Sequence, residues 1–161
     1  MRWPNTAMSD CDLLENKMRA LFDTSFIIAA LIESHPMHER AFPWLKQARE
    51  KQFELIVASH TLAELYAVLT TLPLKPRISS SVAWRLISEN IESVSKVVSL
   101  TPAEYSSTIK QLSDMGLIGG IIYDALIARV AQKAKVETLL TLNTDHFKRV
   151  WQDSGNKIIL P

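Results

Sequence analysis

A three-layer α/β/α fold around a mostly parallel sheet of four to five strands is what this 161-residue chain predicts. Three observations predict it. Short apolar runs of strand length alternate with longer amphipathic segments from Ala20 onward. The strand runs are compactly apolar rather than alternating, as in sheets covered on both faces. Strand–helix–strand repetition joined by right-handed crossovers then brings the strands parallel.

The elements follow in order. Ala20 to Phe22 is the first strand, and Ser25 to about Glu33 the first helix, broken by Ser34-His35-Pro36. Met37 to about Lys51 places Ala41, Trp44, Leu45 and Ala48 at helical spacing, with a kink expected at Pro43. Phe53 to Ala58 is the second strand, and Thr61 to Leu72 a helix stopped by Pro73. Ser79 to Glu92 reads as one helix capped by its serines, and Val94 to Leu100 as the third strand. Thr101-Pro102-Ala103-Glu104 is a capping box with Pro at the first helical position, opening a helix that ends near Met115-Gly116. Gly119-Gly120 turns the chain into a helix over Ile121 to Lys133. Thr138 to Leu142 is the fourth strand, Asp145 to Trp151 a short helix, and Lys157 to Leu160 the last strand. Residues 1–18, with Trp3-Pro4-Asn5 and the acids Asp10, Asp12 and Glu15, read as a loosely ordered leader before a single domain over 19–161; Met18 is an alternative start.

Composition is that of a globular protein, 47% hydrophobic and 22% charged. A lone cysteine, Cys11, excludes an intramolecular disulfide and suits a reducing compartment. No apolar run reaches the ~18 residues of a membrane span and no signal-peptide core opens the chain, so a cytoplasmic protein without membrane contact is expected. A net charge of +1 makes any nucleic-acid contact local. Basic residues do cluster, at Lys46, Arg49 and Lys51, at Lys75 and Arg77, and at Lys148 and Arg149; each cluster alone is explained by a solvated face.

The chemistry lies in the carboxylates. Asp23 ends the first strand, at the carboxyl edge where open α/β sheets hold ligands. Glu64 and Asp124 are read into the first turns of otherwise apolar helices, and Asn143, with Asp145 two residues on, follows the fourth strand. Taken singly, Asp23 is explained as a helix cap, and Glu64 and Asp124 as charges favourable to a helix amino terminus. Taken together, three carboxylates in one cleft repel one another, and a divalent cation relieves that repulsion. Oxygen donors without thiolates favour Mg²⁺, or Mn²⁺, over zinc.

Four motifs carry a resemblance to a known family. Leu21-Phe22-Asp23-Thr24-Ser25, the segment Ser59 to Pro73, Ile122-Tyr123-Asp124-Ala125-Leu126-Ile127-Ala128, and Leu140 to Phe147 resemble the motifs of PIN-domain ribonucleases, in particular the toxins of VapBC-type toxin–antitoxin pairs. The resemblance spans roughly 19–161, and its second and third motifs are the distinctive ones. It implies that Asp23, Glu64 and Asp124 are the three acids that hold Mg²⁺ for hydrolysis of an RNA phosphodiester, leaving a 5′-phosphate and a 3′-hydroxyl. Asn143 stands where many members have a fourth acid, so a single ion, or a second recruited only with substrate, is expected. Asp145 is a supporting residue, and Thr24 and Thr141 orient the acids through their hydroxyls. Capping of the first helix then falls to Thr24 or Ser25. Lys75, Arg77 and Arg85 are assigned to holding the RNA at the cleft rim. The family further implies a homodimer and a small cognate antitoxin protein whose tail blocks the groove, within a larger toxin–antitoxin complex.

Other readings compete. A dehalogenase-like phosphatase needs a second acid where Ser25 stands, and a dinucleotide fold needs glycines absent from Asp23-Thr24-Ser25-Phe26. A receiver domain needs paired acids before Asp23. The pairs His35/His38 and His60/Glu64 have zinc-like spacing without a second cluster to complete a site, and His60 is read as a cap or a packing residue beside the acids. Trp44, Tyr66, Trp84 and Trp151 are read as core aromatics, with RNA stacking by one of them the alternative. A fold of the same kind that binds an antitoxin or RNA without cleaving it is the non-enzymatic alternative.

Overall fold

The computed structural model describes residues 17–161; the expected leader lies, up to residue 16, outside the described residues. The strands are β1 (Arg19–Phe22), β2 (Glu54–Ala58), β3 (Ser95–Val98), β4 (Thr138–Leu140) and β5 (Ile158–Ile159). The helices are α1 (Thr24–Leu31), α2 (His38–Arg49), α3 (Ser59–Thr71), α4 (Ser80–Ile87), α5 (Pro102–Asp114), α6 (Ile121–Lys133) and α7 (Thr144–Val150). All five strands are parallel, in the order β3-β2-β1-β4-β5. The chain therefore builds outward from β1 to β3, then returns to add β4 on the other side of β1. The crevice between the carboxyl ends of β1 and β4 is the topological switch point of the sheet.

Strand alternation divides the core into two layers. Ala20, Phe22, Leu55, Val57 and Leu140 face a cluster that includes Phe26, Leu45, Leu65, Leu69 and Ile87 from α1 to α4. Leu21, Ile56, Ala58 and Leu139 face the opposite cluster, with Leu112, Ala128, Phe147 and Trp151 among its members. Both sides of β1 are thus fully buried, which is why its sequence reads as a continuous apolar run.

Local signals explain most boundaries. Thr101 accepts from the Glu104 N–H at 3.2 Å while Glu104 accepts from the Thr101 N–H at 2.7 Å, completing the capping box of α5. Lys133 of α6 also binds Glu104 at 2.7 Å, and this hydrogen bond leads the interactions that hold the Glu104 carboxyl down at about 2. Gly116, at φ +66°, ends α5 and lets the Leu117 N–H return to the Leu112 carbonyl at 3.0 Å.

Several boundaries differ from expectation. The helix after β2 starts at Ser59 rather than Thr61, so Glu64 stands in its second turn, not its first. The segment Ser79 to Glu92 is not one α-helix: Ser88–Glu92 is a π turn closed by the Ser93 N–H on the Ser88 carbonyl at 3.1 Å, which keeps Ile91 wholly buried. Pro43 is accommodated inside α2 on its exposed side. Of the aromatics read as core, Trp151 is buried and Trp44 packs against the first cluster, whereas Trp84 and Tyr66 are exposed. Helical spacing alone does not say which side of a helix the sheet covers.

Two substitutions separate core from cap. Leu65→Ala, at a fully buried site, is expected to cost about 3 kcal/mol. Thr101→Ala should cost about 1 kcal/mol. Urea denaturation of both variants checks the order; a larger loss from Thr101→Ala would contradict this division of the core.

Candidate active site

Asp23 follows β1 directly and is almost fully buried, at 2% exposure. Its backbone is extended (φ −81°, ψ 172°), and its side chain is the N-cap of α1. Oδ1 accepts from the Phe26 N–H at 2.8 Å, and the Ser25 hydroxyl donates to both carboxylate oxygens at 2.9 Å. Oδ2 accepts from the Thr141 hydroxyl at 2.7 Å, across the switch point. Capping therefore belongs to Asp23 itself and not to Thr24 or Ser25, because only the residue before the first helical turn has a carboxylate within reach of Phe26.

Thr141 comes immediately after β4, where its N–H still bonds the Ile159 carbonyl at 3.1 Å. Its hydroxyl also accepts from the Asn143 N–H at 2.9 Å, and the Ser25 hydroxyl accepts from the Leu142 N–H at 3.1 Å. Two loops separated by more than a hundred residues are thereby laced together around one carboxylate. Ser25 had no sequence signal beyond adjacency to Asp23, because its bonding depends on the neighbouring β4 loop.

A cavity of about 550 Å³ opens above this lacing, and its lining includes Asp23, Thr24, Glu64, Asp124 and Asn143. Glu64 of α3 and Asp124 of α6 are half-buried on opposite sides of the sheet edge, and Asn143 is exposed. The Thr24 hydroxyl donates to Glu64 Oε2, and Asp124 Oδ2 lies 3.0 Å from His146 Nδ1. Asp145 is exposed and outside this lining. His146, which sequence reasoning passed over, meets Asp124 only because α7 packs beside α6.

The expected RNA-holding residues do not line the cavity. Lys75 borders a separate groove with Leu31, Glu33 and Pro76. Arg77 is exposed, and Arg85 lies 3.7 Å from Glu89 in the π turn that follows its helix. The histidines are otherwise engaged: His35 Nδ1 accepts from the Met37 N–H at 3.1 Å, and His38 faces the Ala29 carbonyl and stacks on Phe42. Burial lowers the pKa of His60, whose Nε2 has no hydrogen-bond partner among the described residues.

The electrostatics follow from depth. Burial raises the Asp23 carboxyl to about 6 against the opposition of its hydrogen bonds, and the charge of Asp124 pushes in the same direction. Asp124 is raised as well, first by burial and in smaller part by Glu64, while His146 opposes the rise. Among the described residues no three His, Cys, Asp or Glu side chains form a ready-made ligand cluster. The polar groups lining the cavity are mainly oxygen donors, three carboxylates, the Asn143 amide and the Thr24 and Ser25 hydroxyls, with one imidazole, His35, and they sit around open volume. Such a set fits a hard cation that keeps several of its waters, and a positive charge there would offset the repulsion among the acids.

A family model described as PIN domain matches residues 20–151. Ribonuclease VapC27 of Mycobacterium tuberculosis is 31% identical over 115 residues, covering 71% of this chain and 78% of that protein. The M. tuberculosis VapC20 structure, a toxin that cleaves the sarcin–ricin loop, superposes with a TM-score of 0.65 at 17% identity, covering 88% of this chain and 99% of that one. VapBC2 of Rickettsia felis, solved on a DNA fragment from its promoter, gives a TM-score of 0.61 at 23% identity, covering 89% and 98%. These two structures share the fold described above.

The Asp23 shift has a measurable sign. Between an ordinary 3.8 and about 6 the folded chain binds more protons than the unfolded one, so ionisation of Asp23 lowers stability as pH rises through that window. Asp23→Asn removes this penalty. In EDTA the variant's stability relative to wild type should rise by up to roughly 3 kcal/mol between about pH 4 and pH 7. Parallel stability–pH curves from urea denaturation would rule the shift out.

Proposed function

The chain belongs to the PIN-domain family, and from that membership we propose that it is a divalent-metal-dependent endoribonuclease, the toxin of a type II toxin–antitoxin pair. The observation that carries the proposal is the gathering of Asp23, Glu64, Asp124 and Asn143 around one open cavity at the switch point. Kinship to ribonuclease VapC27 supports the substrate class, and the VapBC2 complex supports an antitoxin as partner. A homodimer, a larger toxin–antitoxin assembly and a cytoplasmic setting belong to the same reading.

In this reading Asp23, Glu64 and Asp124 hold Mg²⁺, which Mn²⁺ can replace, with Asn143 completing the set through its amide oxygen. A bound divalent ion supplies Lewis acidity toward a phosphate oxygen and neutralises charge that builds in the transition state. The chain's part is preorganisation. The Phe26 N–H and the hydroxyls of Ser25 and Thr141 fix Asp23, so its carboxylate does not reorganise when substrate arrives. Thr24 holds Glu64, and His146 holds the outer oxygen of Asp124. Tyr123 and Ile127 form part of the cavity wall beside the acids.

Purified protein is expected to cleave single-stranded RNA with Mg²⁺ and to stop with EDTA. Asp124→Asn and Glu64→Gln should each lower activity by about a hundredfold while melting near wild type. Unchanged cleavage in both variants would sink the metal-site assignment. A clean wild type that binds RNA or an antitoxin and never cuts would instead establish the non-enzymatic form of the fold.

A further inference from the structure

The acidic cavity has no Lys or Arg in its lining. A polyanion whose reacting phosphate enters a ring of carboxylates needs cationic contacts nearby, since phosphate neutralisation supplies much of the affinity for nucleic acid. The basic residues assigned to that task from sequence lie elsewhere. The contact has to be sought along the path a strand would take.

A second cavity, about 560 Å³, adjoins the first. Gly120 and Asp124, one helical turn apart, line both and form the ridge between them. Past the ridge the walls are His146 and Arg149 of α7 on one side, and Leu117 and Ile118 of the α5–α6 loop on the other. Arg149 is exposed and makes no ion pair among the described residues. His146 touches Asp124 through Nδ1 and forms no other hydrogen bond among the described residues. Ile118 is 89% exposed, an apolar side chain on the wall opposite Arg149. A Cβ added at Gly116 or Gly120 would meet nothing within 4 Å, so bare backbone leaves the floor open.

These parts match the three faces of a nucleotide: charge for its phosphate, an apolar surface for base or sugar, and space for close backbone approach. We propose that the second cavity receives the nucleotide next to the scissile bond, with Arg149 binding its phosphate and Ile118 packing against its base or sugar. The inference rests on the ribonuclease reading and extends it: the strand crosses the Gly120–Asp124 ridge, so Asp124 faces the reacting phosphate from one side while α7 holds its neighbour. Arg149 can engage two phosphate oxygens at once through its planar fork, which a lysine cannot reproduce.

The test uses the full chain in EDTA with fluorescein-labelled poly(U) RNA, followed by fluorescence anisotropy across a KCl series. Arg149→Ala should weaken binding on the order of tenfold and flatten the log Kd–log salt slope by about 0.7, one phosphate contact on a single strand. Arg149→Lys should keep the slope and recover only part of the affinity. Lys148→Ala, one residue away, exposed and outside the cavity lining, should change neither. With Mg²⁺ present, Arg149→Ala should raise KM and leave kcat within about twofold. Cleavage by wild type with an unaltered salt slope in Arg149→Ala, or equal losses in Arg149→Ala and Lys148→Ala, overturns the subsite and leaves the ribonuclease reading standing. A wild type that neither binds nor cuts RNA overturns that reading and the subsite with it.

Discussion

The molecule turns on one buried carboxylate. Asp23 receives a backbone N–H and a hydroxyl from the start of α1, and a second hydroxyl from Thr141 at the end of β4. Its own N–H donates to the Leu140 carbonyl at 3.1 Å. Helix start, strand end and cavity floor are therefore one hydrogen-bonded unit. Neutral donors alone do not repay the desolvation of the charge, which is why its carboxyl stays well above the ordinary range.

Depth grades the other acids. Glu64 and Asp124 are half-buried and each is held by one side chain, whereas Asn143 sits in the open. An amide at that last position removes a charge from a crowded site while keeping an oxygen donor. The cost of assembling the acids is thus concentrated at Asp23 and Asp124, the two whose carboxyls are raised, and a cation bound in the cavity would act on both together.

Much of this was legible in the chain because the relevant forces are local. The apolar runs of β1, β2 and β4 reflect burial on both faces, and the Thr101–Glu104 box acts within one turn. Asp23, Glu64, Asp124 and Asn143 could be picked out because a carboxylate or amide at a strand edge or on an apolar helix is conspicuous. What escaped depends on partners distant in sequence. The bridge from Ser25 to Leu142 needs β4 in place, and His146 acquires Asp124 only through helix packing. Lys75, Arg77 and Arg85 lie outside the cavity lining, a placement that charge alone does not report. The π turn after α4 also left no trace, since its widened ring looks like helix to any periodicity argument.

Sheet order has a further effect, on when the cavity can exist. β1 is central, yet its neighbour β4 pairs with it through Leu21 and Leu139 only after more than a hundred intervening residues. A chain emerging amino-terminus first can lay down β1, β2 and β3 with their helices while one edge of β1 stays open. Until β4 docks there, Thr141 and Asn143 are absent and Asp23 lacks its cross-sheet donor. β4 and the loop that follows it are thus the part that closes the site. Topology makes the cavity depend on the pairing made last along the sheet's switch point.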